Sequence, residues 1–428
     1  MKPKQQIYWH TTVRMPDDKE LVALPEKADV AVIGGGFTGL SAARALARSG
    51  AKVAVLEANT IGWGASSRNG GMVLTGLKLS METVFKRYGR DLARKLFQCS
   101  LDAIDAVEQI IKEENIDCGF ERRGHLLVAN KPAHYEAFAK EAEFMEREFG
   151  HKLRLVPRGE QRNEIGTDLY YGALVDDDSG GLNPAQYVTG LAHAAKKAGA
   201  GLYACAPVNR IERATNGFTV ETGRGTLMAD RVLVATSGYT GRATPKLQRK
   251  IIPIGSFMIA TEELPEDMAR ELNPHNRMIF DSRHYLNYFR LWGKRMIFGG
   301  RAAFFPESES TLRQSAAILR DDMVRVHPEL KDAEIEYAWG GTLDFAFDMM
   351  THMGQMDGLY YSLGYAGHGV AIATYLGKAA GEAMLSGSIT AHPFASIPFP
   401  GAPLGLYDGW PWFLPFAGMW HRLLDLIE

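Results

Sequence analysis

Cysteine is scarce in this chain of 428 residues: only Cys99, Cys118 and Cys205 occur, and no two form a CxxC pair. A disulfide framework and a cysteine-based zinc centre therefore have no basis, no metal is expected, and a reducing compartment fits. No sign of charge prevails, because 48 Lys and Arg stand against 50 Asp and Glu for a net charge of −2. That balance excludes a nucleic-acid partner held by a bulk positive field. Long apolar runs are missing too. No stretch of about 18 apolar residues offers a membrane span, and residues 1–28 are polar, contain proline and lack the apolar core of a secretory signal. Internal repeats and low-complexity tracts are absent. With 46% hydrophobic and 23% charged residues the composition is that of an ordinary globular protein of two or three domains. The expected location is the cytoplasm.

What is present starts with a βαβ unit. Residues 29–33 (DVAVI) read as a buried strand that runs into Gly34-Gly35-Gly36-Phe37-Thr38-Gly39. Leu40, Ala43, Leu46 and Ala47 recur at helical spacing, Gly50 ends the helix, and residues 52–57 (KVAVLE) read as a second, parallel strand. The glycines of this GxGxxG pattern have separate duties: a tight turn at Gly34, close approach of backbone to a pyrophosphate at Gly36, and close helix packing at Gly39. Glu57 stands 23 residues after Gly34, at the end of the second strand. A carboxylate there accepts hydrogen bonds from ribose hydroxyls and argues against a 2′-phosphate. Strand, glycine turn, helix and acid in that order point to a dinucleotide.

Helical patterns occupy residues 91–115, 133–150 and 184–199, and β-like stretches fall at 124–130, 208–222, 251–262, 285–292 and 295–300. These stretches suggest a second domain on an antiparallel or mixed sheet. The chain returns to the first domain at residues 231–238 (RVLVATSG) and again at 359–381, where YYSLG leads through YAGHGV into a helix. A helix N-terminus favours a negative partner. One starting at Gly369 can stabilise the charge that gathers near N1 and the O2 carbonyl of a flavin when hydride arrives at N5. The plain alternative is a glycine-rich connection. Residues 406–428 hold three of the seven tryptophans, Trp410, Trp412 and Trp420. Two readings of that tail stay open: an interfacial anchor on the inner face of the membrane, or a segment folded over its own core or against a subunit.

Residues 30–58 (VAVIGGGFTGLSAARALARSGAKVAVLEA), 61–71 (IGWGASSRNGG) and 361–370 (YSLGYAGHGV) together resemble the FAD-dependent D-amino-acid-oxidase-like superfamily, and within it most closely the gamma-glutamylputrescine oxidoreductase group. The likeness covers nearly the whole chain. It implies an α/β fold in which a Rossmann-like FAD-binding domain (28–80, 150–240 and 340–390) is interleaved with a substrate domain on a mixed or antiparallel sheet (81–149 and 241–339). A Trp/Pro-rich tail (391–428) follows. It further implies that FAD lies on Gly34, Gly36, Phe37, Thr38, Gly39, Glu57 and Ala58. Ser66, Ser67, Arg68, Asn69, Gly70 and Gly71 would then run alongside the flavin. Val208 would contact the adenine end, Gly238 would lie near the nucleotide, and Gly364, Gly367, His368, Gly369 and Val370 would form the second turn.

Departures from the family pattern are informative. Some relatives attach flavin through a Cys in the segment matching residues 341–354 or a His in the loop matching 66–71, and neither is present here, so dissociable FAD is expected. Carboxylate-binding Arg and Lys positions of amino-acid-oxidising relatives align with Leu343 and Ala371. The Lys of relatives that react quickly with oxygen aligns with Ile297, and an active-site His with Arg301, whose guanidinium could fork to a substrate carboxylate or serve a structural ion pair. Tyr288 and Arg290 share a strand face and, with Tyr285, are candidates to line the pocket. His368 is read as a flavin contact or a proton acceptor.

The resemblance implies a FAD-dependent amine or amino-acid oxidase or dehydrogenase. A neutral amine gives up hydride from the carbon next to nitrogen to flavin N5, and the imine is hydrolysed. The substrate classes are a gamma-glutamylated or free polyamine, or a secondary or cyclic amino acid such as sarcosine or pipecolate. The electron acceptor is oxygen or a quinone or other respiratory carrier. The competing readings are a flavin dehydrogenase of a hydroxy acid or glycerol phosphate, against which stands the lack of a Lys/Arg cluster suited to phosphate, and a flavin-binding module without catalysis.

Overall fold

Nearly every side chain in residues 28–33 is apolar, and such a run is stable as a strand covered on both faces. It forms β1 (Lys27–Ile33), buried throughout from Val30 to Ile33 in the computed structural model, which describes residues 3–16, 22–303 and 309–413. Helix α1 (Phe37–Arg48) carries the chain over to β2 (Val53–Leu56), which pairs with β1 in parallel. A crossover of this kind is what parallel pairing requires. On its other side β1 pairs in parallel with Gly225–Val234, and that strand with Leu359–Leu363. The order across the sheet is His352–Met356, Leu359–Leu363, Gly225–Val234, β1, β2, Gly201–Tyr203. The stretches 231–238 and 359–363 thus return to the first sheet. The hairpin Val208–Ala214/Gly217–Thr222, grouped by its pattern with the second sheet, also joins the first through Gly225–Val234.

A second sheet of eight strands runs Ile335–Ala346, Ile251–Thr261, Arg295–Ala303, Tyr288–Trp292, Met278–Asp281, His125–Val128, Ala173–Asp176, Arg154–Val156. Its pairs are antiparallel except Met278–Asp281 with His125–Val128. The division of the chain between the sheets differs from the expected one at three places, one of them residues 340–346, expected in the cofactor part but forming the end of strand Ile335–Ala346 in the second sheet. Helix Arg90–Glu114, expected in the substrate part, buries Ala93, Leu96, Ile104 and Val107 in the core that also holds α1. Strands Arg154–Val156 and Ala173–Asp176, expected in the cofactor part, pair in the second sheet. Periodicity shows that a segment has an apolar face, but says nothing of which core receives it.

The helix Gly369–Ser386 lies against α1. Ser41 Oγ donates to Thr374 O at 2.6 Å, and Thr38 Oγ1 meets Tyr365 OH at 2.7 Å. The backbones come so close that a Cβ at Gly377 would run into the Thr38 carbonyl. After this helix the tail folds back over strands of both sheets. Phe399 stacks on His352 with ring centroids 4.2 Å apart, and Tyr407 OH donates to Ile251 O at 2.8 Å. Trp410 and Trp412 are exposed, and Trp420 lies outside the described residues. No helix among the described residues is long and apolar enough to cross a membrane.

Gly377→Ala is expected to lower stability by about 1–3 kcal/mol through overpacking, despite the better helix propensity of alanine. Gly381→Ala, whose new methyl would stand 3.1 Å from Ala42 O, is expected to cost less. Thermal unfolding of the two variants checks the order, and equal midpoints would show that the helices separate freely.

Candidate active site

The two glycine turns face each other across one cleft. After β1 the chain turns at Gly34, whose φ is 107° and where a Cβ would run into the Ala235 carbonyl. A Cβ at Gly39 would run into the Gly34 carbonyl, so the third glycine sets how closely α1 sits on the turn. At Gly36 a Cβ would stand 2.7 Å from Ser66 Oγ, and that hydroxyl accepts the Phe37 N–H of α1 at 2.9 Å. Glu57, just beyond β2, accepts from Gly35 N at 2.8 Å through one oxygen and from Asn59 N at 2.9 Å through the other. A carboxylate accepts about four hydrogen bonds, so lone pairs remain for ribose hydroxyls.

The wall of the cleft, residues 63–71, is gripped by segments distant in sequence. Trp9 is fully buried and donates from Nε1 to Asn69 O at 2.9 Å, while Trp339 Nε1 donates to Arg68 O at 2.8 Å. His10 Nε2 meets Ser67 Oγ at 2.8 Å. Burial first, and Arg68 second, pull the His10 pKa down to about 4. Arg68 donates to Trp63 O at 2.8 Å and to Gly340 O at 3.2 Å, with its guanidinium 4.3 Å from the Trp63 ring centre.

The second turn hangs on Asp344. Its carboxylate accepts from Gly364 N at 2.7 Å and Tyr365 N at 3.2 Å, and its carbonyl accepts from Ala366 N at 2.8 Å. The turn residues Gly364 and Gly367 have φ of 85° and 87°. His368 caps the helix that begins at Gly369.

Of the residues expected to hold the cofactor, Gly34, Gly36, Phe37, Thr38, Glu57, Ala58, Ser66, Asn69, Val208, Gly367, Gly369 and Val370 line the cleft. Gly39, Ser67, Arg68, Gly70, Gly71, Gly238, Gly364 and His368 stand behind or beside that lining and shape it. Sequence reasoning missed Trp63, Ser237, Tyr239, Arg242 and Asp344, which line it as well. Arg242 is the one cation on the lining among the described residues. Asp344 carried a signal: a lone acid in the apolar strand TLDFA is costly to bury unless it has partners. Trp9 and His10 carried none.

On the substrate side, Tyr288 lies opposite Gly299 and exchanges a hydrogen bond with Ser256 Oγ at 3.0 Å. A Cβ at Gly70 would stand 3.5 Å from its ring. Arg290, on the same face, meets the next glycine. Its Nη1 donates to Gly71 O at 3.0 Å and Leu182 O at 3.1 Å, and burial pulls its pKa down to about 10. Arg290 is thus a strut for the loop. Tyr285 precedes this strand by three residues. Ile297 is fully buried with Trp9, Tyr337 and Trp339, Leu343 lines the cleft, and Ala371 lies in the helix core. Arg301 falls in strand Arg295–Ala303, and its side chain lies outside the described residues.

The donor set fits FAD. The turn at Gly36 has no side chain between its backbone and a pyrophosphate, Glu57 offers acceptors to a ribose, and the cleft is continuous from Val208 to Val370. Asp344 sets a pH dependence. Burial pushes its carboxyl up from 3.8 to about 6, against the hydrogen bonds of Gly364, Ser237 and Tyr365. Between those values the folded chain keeps a proton that the unfolded chain has lost. Its contribution to stability is therefore full below about pH 4 and declines as pH rises through about 6. Relative to wild type, Asp344→Asn is expected to gain in unfolding midpoint across that window and to show a flat difference above it. A difference independent of pH would count against this assignment.

Comparisons with known proteins agree with this geometry. The family described as FAD dependent oxidoreductase (DAO) matches residues 29–383. The chain is 33% identical over 379 residues to gamma-glutamylputrescine oxidoreductase of Escherichia coli (strain K12), covering 87% of this chain and 88% of that one. It is 35% identical over 382 residues to the probable oxidoreductase OrdL of Rhizobium meliloti (strain 1021), covering 89% and 88%. Among solved structures, glycine oxidase from Geobacillus kaustophilus superposes with a TM-score of 0.74 at 21% identity, over 88% of this chain and 100% of that one. The L-proline dehydrogenase from P. horikoshii gives 0.69 at 21% identity, over 92% and 99%. The chain belongs to the DAO family of FAD-dependent oxidoreductases.

Proposed function

We propose that the chain oxidises the carbon–nitrogen bond of an amine, with a gamma-glutamylated polyamine as the first candidate and a secondary or cyclic amino acid as the second. One observation carries this reading: the interior beside the second glycine turn is aromatic, and its titratable rings are held neutral. Burial is the first cause that lowers the His368 pKa, to about 3, and burial raises the Tyr288 phenol from its ordinary value. Phe280 touches both, with centroids 6.4 Å from His368 and 5.9 Å from Tyr288. An ammonium entering such a space loses its water, which shifts it towards the neutral amine that can release hydride. When bound, FAD supplies the acceptor for that hydride. The residues' work is to orient the amine and exclude water. The 33% identity to gamma-glutamylputrescine oxidoreductase supports the choice of substrate.

In this proposal Gly34, Gly36, Phe37 and Thr38 hold the pyrophosphate end, Glu57 the ribose, Val208 the adenine side, and Ser66, Asn69, Gly367, Gly369 and Val370 the flavin. Tyr288 and His368 line the substrate side, Tyr288 as a contact and His368 as a neutral ring. No Cys lies in residues 341–354 and no His in 66–71 near the positions used for covalent attachment in relatives, which supports dissociable FAD. The electrons pass to a carrier more readily than to oxygen, because Ile297 is buried among aromatic rings and puts no fixed charge there. The exposed Trp410 and Trp412 support a peripheral membrane contact of the tail, as a quinone acceptor would favour.

The test is anaerobic. Gamma-glutamylputrescine, putrescine, sarcosine, pipecolate and proline are mixed with the yellow protein, alongside a hydroxy acid and glycerol phosphate, and the visible flavin absorbance is followed. An amine is expected to bleach it, with slow recovery in air and fast recovery with a quinone. Bleaching by the hydroxy acid or phosphate ester alone would overturn the carbon–nitrogen reading. Acid precipitation is expected to leave the pellet colourless, whereas a yellow pellet means a covalent bond.

A further inference from the structure

The loop after strand Met72–Val73 places Lys78 beside the second glycine turn. Among the described residues Lys78 has no ion-pair or hydrogen-bond partner, and burial pulls its pKa down. It is close enough to His368 to depress that ring's basicity, second only to burial, and His125 acts on His368 in the same way, with the Ala366 carbonyl opposing. His125 and His368 meet through Phe280, at centroid distances of 4.8 Å and 6.4 Å. His125 Nε2 and His368 Nδ1 are both buried without a hydrogen-bond partner. All four side chains keep some accessible surface.

The acid that acts on His125 is Asp176, and it is occupied. It accepts from His151 Nε2 at 3.1 Å, from Asp178 N at 3.0 Å and from the Thr75 hydroxyl, which lies three residues before Lys78 on the same loop. Asp176 thereby fixes the loop without neutralising Lys78. A cation beside His368, and two unpartnered imidazole nitrogens on rings that both meet Phe280, form an unsatisfied anion site. The positions that would carry a carboxylate-binding charge in amino-acid-oxidising relatives are Leu343 and Ala371, so that site has no competitor there.

We propose that Lys78, with His125 and His368, binds the carboxylate of the amine substrate and so makes the enzyme selective for acidic amines. This rests on the carbon–nitrogen reading above and adds the part of the substrate that is recognised. The lysine serves a second purpose in the same place, since its charge repels an ammonium and favours the neutral amine.

The experiment pairs each amine with its counterpart lacking the carboxylate: gamma-glutamylputrescine with 4-aminobutanoylputrescine, pipecolate with piperidine, and proline with pyrrolidine. Rates of anaerobic flavin reduction are measured in the holoenzyme, in Lys78→Gln and in Lys78→Arg. The wild type is expected to favour the acidic member of the productive pair. Lys78→Gln is expected to lose about 10- to 100-fold in kcat/KM for that member and little for its counterpart, the range of a charge-assisted hydrogen bond. Lys78→Arg is expected to recover part of the loss. Glutarate titrated against the visible flavin spectrum gives a reading independent of turnover and is expected to bind more weakly to Lys78→Gln. A wild type without preference for the acidic member overturns the inference, even if the variants fail to hold FAD. Equal loss for both members in Lys78→Gln overturns it as well. If no amine of any pair reduces the flavin, the carbon–nitrogen reading itself fails.

Discussion

The carboxylate of Asp344 is the point on which the arrangement depends. It sits on a strand of the second sheet and holds the N–H groups of Gly364 and Tyr365, which follow a strand of the first. Two sheets with separate cores are thereby joined at the turn that faces the nucleotide cleft. A neutral side chain of the same size would meet those N–H groups with less charge, and an apolar one would leave them unpaired at about 1–3 kcal/mol each. The strand carrying Asp344 also presents Trp339 to Arg68 O and Gly340 O to the Arg68 side chain. One strand of the substrate sheet therefore fixes both walls of the cofactor cleft.

The nucleotide half was legible because its signals are local. Gly34, Gly36, Gly39 and Glu57 lie within one βαβ unit, and each has a steric or hydrogen-bonding duty that shows in the spacing alone. The helix at Gly369 and the strands at 231–238 and 359–363 were legible for the same reason. Residues whose role depends on remote contact were not. Trp9 and His10 reach Asn69 and Ser67 across about sixty residues, and nothing in the N-terminal sequence marks them. Arg290 read as a pocket cation by its shared face with Tyr288, and that face is correct, but the guanidinium is spent on three backbone carbonyls. Lys78 stood in a loop with no motif at all.

The two readings of the C-terminal tail divide along the chain. The segment is fastened to its own core through Phe399, which lies 5.1 Å from the Lys250 ammonium, through the Tyr407 hydroxyl, and again through Phe413, whose ring centre lies 6.4 Å from that of Phe347. Between Tyr407 and Phe413, Trp410 and Trp412 face solvent.

An unpaired lysine in a sheltered site is the least economical feature of the structure, and its cost is an argument about function. Burying an ammonium without a counter-ion is unfavourable unless the group discharges or an anion arrives. Asp176, the acid that acts on His125, is itself engaged by His151, Asp178 N and Thr75. Neutralising Lys78 internally would stabilise the fold and abolish the attraction for a substrate anion. Leaving it unpaired reserves the favourable interaction for the moment of binding, when an arriving carboxylate also displaces water from the cleft and strengthens the remaining contacts. The same charge acts oppositely on the two ends of an acidic amine, drawing in the carboxylate and discouraging the ammonium. A substrate oriented in this way presents its amine uncharged, which is the form that oxidation requires.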